Sequence, residues 1–191
     1  MLQVVLIQSG ATEFDEQGRI KGTLDIPLSE KGALQVARTC EELAGHPIQA
    51  IYSAPGQCSV KTAEAIAHGR DSKLTTVDTL MNLDHGLWHG KLIQEVKQQQ
   101  PKVYRQWQDH PETVCPPQGE PFQDALERVR KAMKKILKKH DNGMIAIVVP
   151  EPITSIVRSM LSDAKISDMW KVESNGGNWE RIEVGPEFAV V

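Results

Sequence analysis

The chain has 191 residues, 40% of them hydrophobic, with a formal net charge of −3 and a sequence pI near 6.1. That length can bury one sizeable core and favours a single domain over residues 1–191 rather than two small ones. The mild acidity gives no bulk attraction to nucleic acid or to an anionic membrane, so neither is expected as a partner.

The first element is a strand over Gln3 to Ile7, apolar, β-branched and closed by Ser9-Gly10. Such a run suits a strand covered on both faces in a largely parallel sheet. It is too short for a signal-peptide core or a membrane span and lacks a basic region before it, so a cytoplasmic location is expected. Ser29 then caps a helix over Ala33 to Leu43, where Leu34, Val36, Ala37 and Cys40 recur at helical spacing, and Gly45-His46-Pro47 ends it. A second strand over Ile48 to Tyr52 runs through Ser53-Ala54-Pro55-Gly56 into a helix over Ser59 to His68. This alternation implies right-handed crossovers and an α/β fold.

Leu74 to Val77 reads as a short third strand. Between 82 and 118 the rhythm is broken by Gly86, Gly90, Pro101, Pro111, Pro116 and Pro117, and short helices forming a lid over one end of the sheet are expected there. Glu120 to His140 predicts a long amphipathic helix with Val129, Met133 and Ile136 inward. Its other face carries Arg128, Arg130, Lys131, Lys134, Lys135, Lys138 and Lys139, ordinarily a solvated face, with an acidic partner or polyanion as the alternative. Met144 to Val149 is a strongly apolar central strand, and Trp179 to Val184 alternates as an edge strand. Trp88, Trp107, Trp170 and Trp179 are expected in core or lid packing. The architecture predicted is a three-layer α/β/α sandwich, its mostly parallel sheet covered by helices on both faces and by a small helical cap.

Three cysteines, Cys40, Cys58 and Cys115, form an odd set without a close pair. They argue against a disulfide framework or a structural zinc site and fit a reducing compartment.

In an open α/β sheet, ligands sit beyond the carboxyl ends of the strands, so the residues after Ile7, Tyr52 and Val149 belong to one place. The sequence there resembles the histidine phosphatase superfamily, also called phosphoglycerate mutase-like. Leu6, Gly10 and Thr12 match the family's Leu-x-Arg-His-Gly-x-Thr-x-x-Asn opening, and Arg19 to Gly32 follows the family's next segment almost throughout. Tyr52-Ser53-Ala54-Pro55 with Lys61-Thr62-Ala63, His85-Gly86-Leu87-Trp88-His89-Gly90, and Gln118-Gly119-Glu120-Pro121-Phe122 are similar to later family elements. The strand over Ile145 to Val149 and the helix after it complete the resemblance.

The resemblance also implies what stands at the family's reactive positions. Gln8 and Ser9 occupy the arginine and histidine places, Asp15 that of an asparagine, Cys58 that of the second phosphate-binding arginine, Asn82 that of the general acid and Pro150 that of the second histidine. Phosphoryl transfer needs a nucleophile, cations for the phosphoryl oxygens and an acid for the leaving oxygen. Removing one member of such a unit costs roughly 10⁶ in rate. The expectation is therefore a pseudoenzyme without phosphatase or mutase activity, a binding or regulatory module with no catalytic residues, no metal and no cofactor. Its altered pocket is expected at Gln8, Ser9, Asp15, Lys21, Cys58, Asn82, Pro150 and Glu151, taking a small ligand or a protein partner. Asp15, Asp84 and Glu151 would repel phosphate if they faced it.

Three sharper readings stand beside this one. One is a weak or altered phosphomonoesterase with a non-family nucleophile, for which Ser9 is a candidate, with His85 or His89 as base. Cys58, near a helix N-terminus, is a candidate for a lowered thiol pKa, against the ordinary reading of a buried, inert thiol. His85 and His89 have the i, i+4 spacing of two metal ligands, although Gly86 and Gly90 favour a loop.

Overall fold

The structure, a computed structural model, describes residues 1–162, 164, 166 and 176–185. Its sheet is built from β1 (Leu2–Gln8), β2 (Ile48–Ser53), β3 (Lys73–Thr76), β4 (Gly143–Val149) and β5 (Trp179–Glu183), in the order β3-β2-β4-β1-β5. The pairs β2–β3, β2–β4 and β1–β4 are parallel. β5 is antiparallel to β1, with Ile7 opposite Trp179 and Gln3 opposite Glu183, and closes one edge.

Side chains alternate across a strand, so each strand feeds two cores. Val4, Leu6, Ile145, Ile147 and Val149 point to one face. There they meet Ala125, Val129, Met133 and Ile136 of α6 (Phe122–Leu137) and Ile153, Ile156 and Val157 of α7 (Ile153–Ser162). Val5, Ile7, Ile51, Ala146 and Val148 point to the other face and meet Leu43 of α2 (Glu30–Leu43) with Ala63 and Ile66 of α3 (Gln57–Ala67). The three-layer α/β/α architecture follows directly.

Several boundaries differ from the sequence reading, each for a local reason. Ser29 does cap α2, its Oγ accepting the Gly32 N–H at 3.0 Å, but the helix starts at Glu30. α3 starts at Gln57, because Asp25 of a distant loop accepts the Gln57 N–H at 2.7 Å and so extends the helix beyond its own capping residues. A short helix, α1 (Glu13–Gln17), escapes periodicity because it is five residues long; Thr12 and Asp15 form its capping box. α6 is shorter at both ends than Glu120 to His140, its cap falling on Pro121 and its last turn on Leu137.

The basic face of α6 also needs correction. Arg128 is not part of a solvated stripe: its guanidinium bonds Glu120 and donates to the carbonyls of Thr79, Met81 and Asn82. Between Asn82 and Gln118 lie two short helices, α4 (Ile93–Gln99) and α5 (Pro101–Asp109), with 3-10 turns at Gly86–Trp88 and Pro111–Thr113. Trp88 and Trp107 are buried from this segment into the first core, their ring centroids 6.0 Å apart. Trp179 is half-buried on β5 and donates to Glu42 at 2.8 Å, while Trp170 lies outside the described residues. No helix among the described residues is long and apolar enough to cross a membrane.

Candidate functional site

The carboxyl end of β1 turns into Ser9-Gly10-Ala11, a loop pressed onto the start of α2. A Cβ on Gly32 would lie 1.9 Å from the Ala11 carbonyl oxygen, and one on Gly10 would lie 2.8 Å from the Gly32 carbonyl oxygen. Only glycine at both positions lets loop and helix approach this closely. The loop is then fixed from behind, with the Ser9 N–H donating to Val149 at 3.0 Å and the Gly10 N–H to Thr62 Oγ1 at 3.1 Å. Ser9 is buried, and its Oγ lies 2.6 Å from the buried Ser59 Oγ. No imidazole or carboxylate among the described residues hydrogen-bonds either hydroxyl.

Beyond these strand ends opens a cleft of ≈ 60 Å³ whose polar wall includes Lys21, Thr23, Ser59 and Asn82, with Cys58 and Pro150 beside them. It holds a small group, not a drug-sized ligand, for which hundreds of Å³ are usual. Lys21 Nζ bonds Asp15 at 3.1 and 2.9 Å, and the two side chains are only 9% and 6% exposed. Asp15 therefore does not face the cleft as a repelling anion: its carboxylate closes the α1 capping box and seats the ammonium. Asn82 is committed too, donating to the Gly22 carbonyl at 3.0 Å and accepting the Leu83 N–H at 2.9 Å.

Behind the Lys21 wall stands His89. Its Nε2 accepts the N–H groups of His85 at 3.1 Å and Thr23 at 3.3 Å, so that nitrogen carries no proton in this arrangement. Gly22 has φ +53°, and a Cβ there would lie 2.2 Å from the same nitrogen. His85 is fully buried, and burial, with neighbouring His89 as the smaller cause, pushes its pKa down to about 3. The two histidines are wall and core rather than a pair of metal ligands; no cluster of three or more potential metal-binding side chains occurs among the described residues.

The remaining expected residues go elsewhere. Gln8 lines a separate cavity of ≈ 470 Å³ with Arg38, Glu42, Arg158 and Glu180. Glu151 is buried at the entry to α7, where its Oε2 accepts the Ser155 N–H at 3.2 Å and burial pushes its carboxyl up. Thus Lys21, Cys58, Asn82 and Pro150 share the cleft, and Ser9 stands one hydrogen bond behind it. Sequence reasoning missed Ser59, Thr23 and Asp25. The first two carry no signal beyond being polar in a loop or a first helical turn, and Asp25 is identified only by the contact that caps α3.

A family model described as "Histidine phosphatase superfamily (branch 1)" matches residues 4–191. The chain is 27% identical over 184 residues to Phosphoserine phosphatase 1 of Hydrogenobacter thermophilus, covering 96% of this chain and 87% of that protein. It is 24% identical over 191 residues to the Adenosylcobalamin/alpha-ribazole phosphatase of Salmonella typhimurium, covering 100% and 94%. Among solved structures, Bacillus stearothermophilus YhfR superposes with a TM-score of 0.85 at 25% identity, covering 97% of this chain and 92% of that one. Against three longer mycobacterial relatives, 32% identical over 162 residues, the chain spans 44% of their length.

These relatives overturn the expectation of a pseudoenzyme and an inactive phosphatase, because proteins alike over nearly the whole chain are named as phosphatases. The place is also not emptied of polar groups: the cleft keeps a buried ammonium paired with Asp15, a linked pair of hydroxyls and a positioned loop.

Proposed function

Because the chain belongs to the histidine phosphatase superfamily, we propose that its cleft receives the phosphoryl group of a phosphate monoester and that the protein hydrolyses that ester. The observation that carries this reading is the Lys21 ammonium, buried, braced by both oxygens of Asp15 and set in the wall of a cleft at the carboxyl edge of the sheet. A charge-assisted donor held in place is the kind of group that stabilises a phosphoryl oxygen without reorganising during the reaction. In the same cleft, the Ser59 hydroxyl, linked to Ser9, supplies a neutral polar group. In the overall reaction the bond from phosphorus to the alcohol oxygen breaks, a bond to a water oxygen forms, and a proton from that water ends on the released alcohol.

With one cation on the wall and no imidazole on either serine among the described residues, turnover is slow, below about 1 s⁻¹, the lower edge of ordinary enzyme rates. The names of the relatives put phosphoserine and α-ribazole phosphate in the first substrate panel. Release of phosphate should be measured for wild type, Lys21→Met and Ser59→Ala, with both variants expected to lose at least tenfold in kcat/KM. Absence of turnover on every monoester, together with no rise in melting temperature in millimolar phosphate, would overturn the proposal.

A further inference from the structure

The mouth of the cleft is apolar while its floor is polar. Leu24, Ile26 and Met81 line it along with Lys21. Leu24 is 38% exposed and Met81 41%, two of the five large apolar side chains exposed among the described residues. Folding gains nothing from leaving them in water, yet they come from loops 57 residues apart and border the same small opening. Both are held there by contacts behind them: the Asn82 amide bonds the loop of Gly22, and Arg128 bonds the carbonyl of Met81.

The charges around the mouth point the same way. Lys21 is the one cation lining the cleft among the described residues, and it already balances Asp15. Asp25, on the same rim, is exposed and held below the usual carboxylate range by the N–H and amide of Gln57. A ligand bearing a carboxylate beside its phosphate would therefore set that second anion near Asp25 with no cation to meet it.

We infer, on the strength of the phosphomonoester reading above, that the substrate class is the phosphate monoester of an apolar, uncharged alcohol, with Leu24 and Met81 as the residues that select it. The phosphoryl group enters the polar floor, and the first carbons of the alcohol lie across the two side chains. Phosphorylated hydroxy acids are disfavoured by the unmatched carboxylate.

The test uses the full chain and three probes: inorganic phosphate, phenyl phosphate and 3-phosphoglycerate, with dissociation constants from calorimetry and shifts in melting temperature. Phenyl phosphate is expected to bind about tenfold more tightly than 3-phosphoglycerate, the ratio that covering a few tens of Å² of apolar surface supplies. In the double variant Leu24→Ser, Met81→Ser the ratio should fall to about twofold or less; both side chains are exposed, so the fold is not at stake. Equal or tighter binding of 3-phosphoglycerate by the wild type would overturn this inference while leaving the phosphomonoester reading intact. So would a preference that survives the double variant. No response to any of the three probes would remove the phosphomonoester reading and the inference with it.

Discussion

At the strand ends, Ser9 and Ala54 are held by backbone bonds to β4, the Ser9 N–H to Val149 at 3.0 Å and the Ala54 N–H to Val148 at 2.9 Å, above the two apolar cores of the sheet. The facing wall, from Lys21 to Ile26 and at Met81-Asn82, is held by side chains of Asp15, His89, Asn82 and Arg128 reaching from separate segments. The first side is fixed by ladders and burial, which tolerate exchange of one apolar residue for another of similar volume. The second is fixed by polar bonds in a partly dry setting, where removal of one partner strands the other. The two sides should therefore respond differently to mutation and to pH.

The largest effect is expected at Arg128. Its guanidinium satisfies Glu120 and three carbonyls at once, with both side chains of the pair about four-fifths buried. Arg128→Ala leaves those acceptors and a carboxylate unpaired, at a cost of about 3 kcal/mol. Denaturant unfolding measures the loss, and binding of phenyl phosphate should weaken in parallel because the Met81-Asn82 wall loosens. Arg128→Lys should recover less than half of the stability, since an ammonium lacks the planar fork that spans these acceptors. A full recovery by lysine would mean that charge alone, not the clamp, holds the wall.

That difference between the two sides also explains what could be read in the chain. The sheet, its covering helices and the Ser29 cap follow from apolar periodicity and turn residues, and those signals are local. The resemblance placed Ser9, Cys58, Asn82 and Pro150 near one another for the same reason, because they follow strands or occupy first helical turns. What sequence spacing could not show is that Asp15 reaches Lys21 instead of the cleft, that Asp25 caps a helix beginning 32 residues later, or that Arg128 turns inward from a helix full of solvated cations. Each is a long-range polar contact, and a charged residue carries no periodic mark of the partner it will find. The pseudoenzyme expectation rested on the substituted reactive positions; it placed Lys21 in the pocket, but not the pairing with Asp15 that holds the ammonium in the folded wall.

A second prediction concerns pH and the polar wall. His85 is buried as a neutral ring with a folded pKa of about 3, against an ordinary value of 6.5. Below 6.5 the unfolded chain takes up a proton that the folded one refuses, so the stability present above pH 6.5 is lost as pH falls toward 3. Between pH 6.5 and pH 5 the loss is on the order of 2 kcal/mol. Thermal or urea unfolding at stepped pH measures the slope, and His85→Phe should flatten it whatever it does to stability at pH 7. An unchanged slope in that variant would shift the acid sensitivity to another group.

The smallest effect belongs to the sheet side and has the opposite sign. Glu151 is only 3% exposed, its Oε1 lacks a hydrogen-bond partner, and burial raises its carboxyl above the ordinary 4.5 despite the Ser155 N–H and the charge of Arg158. For a carboxyl raised in the folded state, stability is fullest below the unfolded value and declines as pH climbs through the folded one. At pH 8 the ionised side chain therefore works against folding, and Glu151→Gln is expected to gain about 1 kcal/mol, or about 2–4 °C in melting temperature for a chain of this size. Below pH 4 the two proteins should melt together, because the wild-type carboxyl is then neutral in both states. Destabilisation by glutamine at pH 8 would mean that Arg158 compensates the buried charge after all. The strand ends would then rest on an ion pair, and the contrast between an apolar sheet edge and a polar wall would no longer describe this cleft.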